Sequence, residues 1–396
     1  MARAPSAASR IARGDAIALT KALTRIDSRN PSIDPDGPGE AEAARFLASV
    51  LESWGFAVAL QDVADGRQNV VAHLGRPEAP ALLFAGHLDT VGIDGMTHSP
   101  FDAEERDGRI YGRGSADMKS GIAAMCAAAV LAADSVPDPS RRQVVIAAVV
   151  DEEYDSIGMR AFAETASNTS ACVLTEPTRL AICPAHRGFV WIELTFTGRA
   201  VHGSRYDIGV DAIRHAGLFL KELEDLDSTE LPRKTHSLLG RGSVHASLIE
   251  GGTGLSTYPE RCVLTIERRT LPGESQSDIE SEVRALCDRA RERAPNLDVS
   301  VRLITAQSPS DVSTEAPIVR SLSDAIQAEG TELSIEGMSA WTDAAILNDV
   351  GIPSVCFGPG DIRHAHTPEE FVPISEIDTA TRVLTRVARD WLEGRE

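Results

Sequence analysis

The sequence predicts an α/β protein: a mostly parallel sheet with helices on both faces, interrupted by an inserted α+β domain. Three observations lead to this prediction. The chain has 396 residues, more than one hydrophobic core usually supports. Helical and strand patterns alternate in the first half and again near the C-terminus, as in parallel sheets flanked by helices. A different pattern, βαββαβ, lies between them. We therefore predict one domain from residues 1–188 and 307–396, with residues 189–306 inserted.

Short apolar runs and amphipathic segments define the two outer parts. In the first part the predicted elements are a helix at 41–54, a strand at 80–86, an Ala-rich helix at 122–133, and strands at 143–150 and 171–175. In the last part they are a helix near 317–328, a short strand at 353–357 and a closing helix near 376–392. Because the second series repeats the alternation of the first, we predict a single domain from both. Three consecutive domains are the alternative.

The inserted part has the element order of the ferredoxin-like unit, which has one sheet and two helices. Its predicted elements are a half-exposed strand at 190–197, a helix near 210–226, strands near 243–250 and 259–270, a helix to about 294, and a strand ending at 304. Ser277 and Glu280 fit a capping box that would begin the second helix.

Composition and charge exclude several classes of partner. The chain is 42% hydrophobic and 5% aromatic, which is typical of an ordinary globular protein. Its formal net charge is −20, from 39 basic and 59 acidic residues, so we expect no nucleic-acid partner. The six cysteines form no CxxC pair and indicate no disulfide framework, which favours a reducing cytoplasm. We find no 18-residue apolar span and expect no membrane partner.

Five acidic or histidine residues are of the types that bind metal ions, and four of them follow apolar runs. They are His87, Asp117, Glu153, Glu176 and His366. Ligands in open α/β sheets collect outside the carboxyl ends of the strands, where residues far apart in sequence converge. Carboxylate and imidazole ligands without thiolate suit Zn²⁺, and also Co²⁺ or Mn²⁺. The leading hypothesis is therefore a hydrolytic site with two metal ions that share a bridging carboxylate.

Two neighbouring residues have candidate roles of their own. Glu152 and Glu153 are adjacent and point in different directions, so one can bind a metal while the other accepts a proton from water. Asp89 lies two residues after His87, on the same side of an extended segment, and would orient the imidazole ring. Structural alternatives remain open, since Asp89 and Asp117 also fit helix caps.

Five segments together resemble the di-zinc acylase and exopeptidase family, which includes acetylornithine deacetylase and succinyl-diaminopimelate desuccinylase. The segments are Gly86–Val91, Gly112–Gly121, Asp151–Glu153, Thr175–Pro177 and Ala365–Glu370. They occur in the family's order over nearly the whole chain. The resemblance implies a catalytic domain and an inserted lid that forms a homodimer.

The resemblance also implies roles for the site residues. His87 and Glu176 would hold one metal ion, Glu153 and His366 would hold the other, Asp117 would bridge them, and Glu152 would be the general base and acid. His364 is a rival for His366, but only His366 precedes the Thr-Pro-Glu-Glu that matches the family.

The inserted domain contributes further candidates by the same resemblance. His202, in Gly198–Ser204, would cross the dimer interface and support the tetrahedral oxyanion. Arg269 would clamp a substrate carboxylate with its guanidinium fork, and Arg268 is the alternative. The chain departs from many relatives at Ser256 in the insert and at Trp341 near the C-terminal part of the site. Both residues would reshape the substrate pocket or merely repack the lid.

The function expected from these residues is metal-dependent hydrolysis of an amide-type C–N bond in an N-acyl amino acid or small peptide-like substrate that carries a carboxylate. A dipeptidase or carboxypeptidase would use the same centre. A hydrolase of a ureido group or an aromatic amine would also use it. A binding protein without catalysis is a further alternative, but no ligand or base is missing from the sequence.

Overall fold

A computed structural model describes residues 11–64, 66–76, 78–138 and 141–395. The chain divides into two compact units. The first consists of the residues through Pro184, Val312–Glu336 and the chain from Thr342 onward. The second consists of Ala185–Asp311 and Gly337–Trp341. It therefore extends beyond the predicted insert at both ends. The short segment 337–341 belongs to it because Arg187 N–H donates to the Met338 carbonyl and Trp341 Nε1–H donates to the Ser308 carbonyl.

The regular elements have the following bounds. The helices are α1 (Ala16–Thr24), α2 (Ala41–Ser53), α3 (Ser120–Ser135), α4 (Ile157–Ala163), α5 (Ala212–Asp225), α6 (Gln276–Arg293), α7 (Pro317–Ala328), α8 (Ala344–Asp349) and α9 (Ile374–Glu393). The strands are β1 (Ala57–Ala64), β2 (Arg67–Gly75), β3 (Ala81–His87), β4 (Glu104–Arg106), β5 (Arg109–Tyr111), β6 (Gln143–Val149), β7 (Thr169–Leu174), β8 (Ile182–His186), β9 (Gly188–Thr197), β10 (Thr235–His236), β11 (Gly240–Arg241), β12 (Ser243–Gly251), β13 (Arg261–Thr270), β14 (Asp298–Gln307), β15 (Ser310–Asp311), β16 (Ile335–Met338), β17 (Ser354–Cys356) and β18 (Phe371–Pro373).

The main sheet of the first unit has the strand order β1-β2-β6-β3-β7-β17-β8. Its centre is parallel, because β3 pairs in parallel with β6 and β7, and β17 pairs in parallel with β7. The hairpin of β1 and β2 adds an antiparallel edge. Strand β8 also pairs antiparallel with β17, so both ends of this strand order are antiparallel. The prediction of a mostly parallel sheet is confirmed for the centre, and the antiparallel edges are an addition to it.

Both faces of the central strands are buried, which explains their continuous apolar sequences. All seven residues of β3 and all seven of β6 are buried. Leu82 and Phe84 point into the main core together with residues of α3 and α9. Leu83 and Ala85 alternate with them and are buried on the opposite face. Helices therefore cover both faces, and the polar side chains gather at the strand ends.

Helix α3 corrects one expectation about membranes. By length and composition alone, the helical stretch Ser115–Ser135 is apolar enough to cross a bilayer. This apolar stretch was not expected from the sequence. In the fold, 89% of this apolar window is buried, since the helix packs in the core of the first unit.

The second unit contains an antiparallel sheet in the order β12-β13-β9-β14, with α5 and α6 packed on one face. This is the ferredoxin-like arrangement, as the sequence predicts. The start of α6 differs from the prediction. Ser275, in extended conformation, is the N-cap, and its capping box partner is Asp278 rather than the predicted pair Ser277 and Glu280. Both pairs fit the sequence rule, and the chain enters the helix two residues earlier.

Candidate metal centre

The candidate ligands lie where neighbouring strands of the main sheet end. His87 is the last residue of β3, which lies between β6 and β7. Glu153 follows β6, and Glu176 follows β7. Because these three strands are parallel, their carboxyl ends meet at the same edge. Asp117 precedes α3, and His366 lies before β18 in a left-handed backbone conformation with φ of 60°.

The structure brings all five predicted ligands together as two groups that share one residue. His87, Asp117 and Glu176 form the first group, and Asp117, Glu153 and His366 form the second. Within each group the ligand atoms lie within 4.8 Å of one another. Asp117 Oδ1 is 3.1 Å from His87 Nε2, and Asp117 Oδ2 is 3.4 Å from His366 Nε2. The two oxygens of one carboxylate thus face the two histidines, which is the arrangement that a bridging ligand requires.

The donor set fits divalent cations. It contains imidazole nitrogens and carboxylate oxygens and no thiolate, which suits Zn²⁺ and related ions. Burial raises the pKa of Glu176 to about 8, and its Oε1 atom is buried without a hydrogen-bond partner. Burial alone would also raise the pKa of Asp117, but hydrogen bonds from His366 and His87 outweigh it and lower the pKa. Several buried acids packed this closely require positive charge.

Glu152 lies beside the two groups without belonging to either. Its Oε2 atom is 3.9 Å from His87 Nε2. Burial raises the pKa of Glu152 well above its usual value; His87 opposes this shift, and the charges of Glu176 and Asp343 add to it. A carboxyl that lies close to the ligands, is not itself a ligand and has a raised pKa has the properties of a general base.

Asp89 has a different contact with His87 from the one that the sequence predicts. His87 Nδ1 donates to the backbone carbonyl of Asp89 at 2.9 Å, whereas the nearest Asp89 carboxylate oxygen is 3.6 Å from that nitrogen. The carboxylate instead accepts the backbone N–H groups of Glu152 at 3.2 Å and Glu153 at 3.1 Å. The hydrogen bond to the ring thus comes from the Asp89 backbone, and the carboxylate fixes the adjacent glutamates. An orienting role of the carboxylate, through its 3.6 Å contact with the ring, stays a prediction.

Asn30 takes part in this arrangement and was not recognised in the sequence. Its side-chain amide donates to Asp89 at 2.8 Å and to Asp151 at 3.0 Å. Asp151 also pairs with Arg67 at 2.8 Å, and Arg67 pairs with the buried Glu40. These buried contacts support the segment that carries Glu152 and Glu153. No periodic pattern marks a single polar loop residue such as Asn30, so its sequence gave no signal.

His364, the rival of His366, lies elsewhere. Its ring stacks on Phe371 with the ring centroids 4.3 Å apart. His366 Nε2 lies 3.0 Å from Glu153 Oε1. The structure therefore places His366 with the candidate ligands, and it gives His364 a packing contact.

The predicted substrate residues lie in the second unit. The His202 ring is exposed, with Nδ1 at 2.9 Å from Ser204 Oγ. The Ser256 carbonyl accepts the N–H of Gly203, next to His202. Trp341 has its ring edge against Phe189. These contacts describe the surroundings of His202, Ser256 and Trp341, whose roles remain predictions.

The two candidate arginines have different environments. Arg268 is 1% exposed and pairs with Glu274 at 2.7 Å and Glu282 at 3.1 Å. Arg269 is 31% exposed, pairs with Glu267 at 2.8 Å and lies over the Phe189 ring. Of the two, Arg269 is the one with an accessible guanidinium.

Comparisons with known proteins find similar sequences and similar folds. The sequence model of peptidase family M20/M25/M40 matches residues 83–390. The chain is 30% identical to an acetylornithine deacetylase from Vibrio cholerae over 369 residues, which covers 89% of this chain and 92% of that protein. An aminopeptidase PepT from Bacillus cereus has the same fold, with a TM-score of 0.77 at 20% identity over 96% of this chain and 99% of that one. A dinuclear metal-binding peptidase of the M20 family from Bacillus subtilis aligns with a TM-score of 0.73 at 17% identity over 96% of this chain and 98% of that one.

Proposed function

We propose a substrate class and a division of roles for this chain, which belongs to peptidase family M20/M25/M40 and is a metal-dependent hydrolase of amide-type C–N bonds. The substrate is an N-acyl amino acid or a small peptide-like compound that carries a carboxylate. One observation carries the proposal: the two oxygens of Asp117 face two histidine-containing ligand groups, and the unligated Glu152 lies beside them.

The ligand groups would hold two divalent cations. His87 and Glu176 would hold one, Glu153 and His366 would hold the other, and Asp117 would serve both. Zn²⁺ suits these nitrogen and oxygen donors best, and Co²⁺ or Mn²⁺ have related preferences. When bound, such ions polarise a substrate carbonyl and lower the pKa of water.

The protein's own residues move the proton. Glu152 would accept the proton of the attacking water and donate it to the leaving amine. Its raised pKa suits both halves of this task, since the group must first take the proton and then hold it until the C–N bond breaks. The Asp89 carboxylate accepts the Glu152 backbone N–H, so the backbone from which the Glu152 side chain extends is fixed.

The second unit would recognise the substrate. Arg269 would bind the substrate carboxylate, and its accessible guanidinium supports this choice over the buried Arg268. His202 would donate to the developing oxyanion, a role typically worth about 10²–10³ in rate. Ser256 and Trp341 would shape the pocket and set which acyl or side-chain group fits.

Two copies of the chain would pair through the second unit. Strand β12 is at the edge of its sheet, so its outer backbone groups are available to another strand. Leu248 and Ile249 on β12 are 69% and 57% exposed, which is unusual for large apolar residues on an edge strand. A homodimer would cover them.

We also propose that the protein is cytoplasmic, because its six cysteines are unpaired and buried.

The test is amine release by metal-loaded protein on matched substrates with the same amino acid. An N-acetyl amino acid, a dipeptide, a ureido analogue and an aromatic amide each offer a different C–N bond. The proposal expects turnover of the N-acyl amino acid or the dipeptide, with loss in Glu152→Gln. Turnover of only the ureido or aromatic compound would support the metal centre but assign the reaction to a different C–N bond. Two bound metal ions with no turnover on any of them would contradict the proposed activity.

A further inference from the structure

A buried ion pair joins the segment that carries Asp117 to the segment that carries His366. Arg113 Nη1 lies 2.6 Å from Glu370 Oε2, and the two side chains are 3% and 1% exposed. The other oxygen of the same carboxylate, Glu370 Oε1, accepts the backbone N–H groups of Ala116 at 3.0 Å and Asp117 at 3.1 Å. Glu370 therefore uses both oxygens, one to engage the arginine and one to hold the peptide backbone at Asp117.

Further bonds fasten the same two segments. Arg113 Nε donates to the Gly92 carbonyl at 2.8 Å, and Arg113 Nη1 reaches the carbonyl of Thr367, next to His366, at 3.4 Å. The N–H of Gly112 donates to the Glu370 carbonyl at 3.3 Å. Arg113 is thus fixed at several points. A guanidinium is suited to this because its donors form a rigid planar fork.

We propose that Glu370, held by Arg113, is a positioning residue that fixes the Asp117 backbone relative to His366 and thereby sets the affinity of the cation pocket formed by Asp117, Glu153 and His366. The inference rests on the proposed metal-dependent function.

The positioning effect is expected to be selective between the two pockets. His87 is oriented by the Asp89 carbonyl, and Glu176 follows β7, so neither depends on a described contact with Glu370. Asp117 serves both pockets, but only the second also contains His366, whose segment carries Glu370. Loss of the Glu370 carboxylate should therefore weaken the second pocket more than the first. Residues that support ligands in this way typically change metal affinity by about 10–100-fold.

The test is zinc titration of metal-free Glu370→Ala, with the bound metal counted by elemental analysis after dialysis against chelators of increasing strength. We expect one Zn²⁺ to be retained like that of the wild type and the other to bind about 10–100-fold more weakly. We also expect kcat to recover as zinc is raised.

The matched control is Glu274→Ala. Glu274 also combines a buried arginine, Arg268 at 2.7 Å, with a backbone N–H, that of Leu271 at 2.9 Å, but it lies in the second unit. Its loss should reduce stability and leave both zinc affinities unchanged. Equal zinc loss in the two variants would overturn the proposal, because a general loss of stability would then explain the effect.

Glu370→Gln provides a second variant if the alanine variant does not fold. Glutamine retains an oxygen for the Ala116 and Asp117 N–H groups but presents an amide to Arg113, so we expect a smaller zinc loss than with alanine. Folded variants with both wild-type zinc affinities would refute the positioning role. Zinc binding is read separately from turnover. A wild type that binds two ions without amide hydrolysis would therefore contradict the proposed function and leave the positioning test intact.

Discussion

Glu152→Gln isolates the proton-transfer role from metal binding. Glutamine has nearly the same shape as glutamate but cannot accept the water proton. Glu152 lies outside both ligand groups, with its Oε2 atom 3.9 Å from His87 Nε2, so the ligands should stay in place. General acid–base catalysis contributes about 10²–10⁴ in rate, or roughly 3–5 kcal/mol of transition-state stabilisation. We expect kcat to fall by that factor while both metal ions remain bound.

The assay measures kcat for an N-acyl amino acid together with the metal content of the same sample. The matched control is the adjacent residue, Glu153→Gln, because Glu153 Oε1 is 3.0 Å from His366 Nε2 and belongs to a ligand group. That variant should lose one ion and its activity together. The reasoning is refuted if Glu152→Gln retains wild-type kcat, or if it loses a metal ion and Glu153→Gln does not.

Three further predictions concern the second unit. By light scattering, Leu248→Lys should be a monomer where the wild type is a dimer, and its kcat should fall as that of His202→Ala does. Leu60→Lys, on an exposed edge strand of the first unit, should change neither the oligomeric state nor kcat. Arg269→Ala should raise KM for carboxylate-bearing substrates, and an equal effect on neutral analogues would argue against a clamp. Burial lowers the pKa of His186 to about 4. His186 in the unfolded chain therefore takes up a proton at a higher pH than in the folded chain. Its contribution to the free energy of unfolding is complete above about pH 6.5 and is lost as the pH falls toward 4. In metal-free protein, His186→Asn should remove up to about 3 kcal/mol of that pH dependence from urea unfolding, and an unchanged dependence would exclude His186 as its source.

The sequence predicts those parts of the fold whose side chains repeat with a clear period. Strands β3 and β6 are buried on both faces, so their continuous apolar runs reveal both the strands and the polar residues that end them. Strand β1 is mostly exposed or half-buried, and its sequence has no comparable signal. The start of α6 has a different cause. Ser275 and Ser277 each have an acidic residue three positions later, so sequence spacing cannot choose between them.

Three candidate ligands, His87, Glu153 and Glu176, are also predictable, because their types and their positions at strand ends are local features. The contacts that hold them are not. Asp89 lies on the expected side of His87, but the distance from Nδ1 decides between its carbonyl at 2.9 Å and its carboxylate at 3.6 Å. Asn30 and Glu370 act across long stretches of chain. The sequence alone is compatible with several different contacts for each of these two residues, and only the folded backbone selects one.

The two histidine-bearing segments solve the same physical problem in the same way. Each of these segments carries an acidic residue that lies outside the ligand groups. Its carboxylate accepts two successive backbone N–H groups from another segment, which supplies a carboxylate ligand. Asp89, near His87, holds Glu152 and Glu153, and Glu370, near His366, holds Ala116 and Asp117. Backbone N–H donors satisfy the oxygens of these buried carboxylates, which lie outside both ligand groups. The contacts also cross between the pockets, because the His87 segment fixes Glu153 of the other group. The two ligand groups are therefore linked by hydrogen bonds to these peptide groups as well as by the shared Asp117.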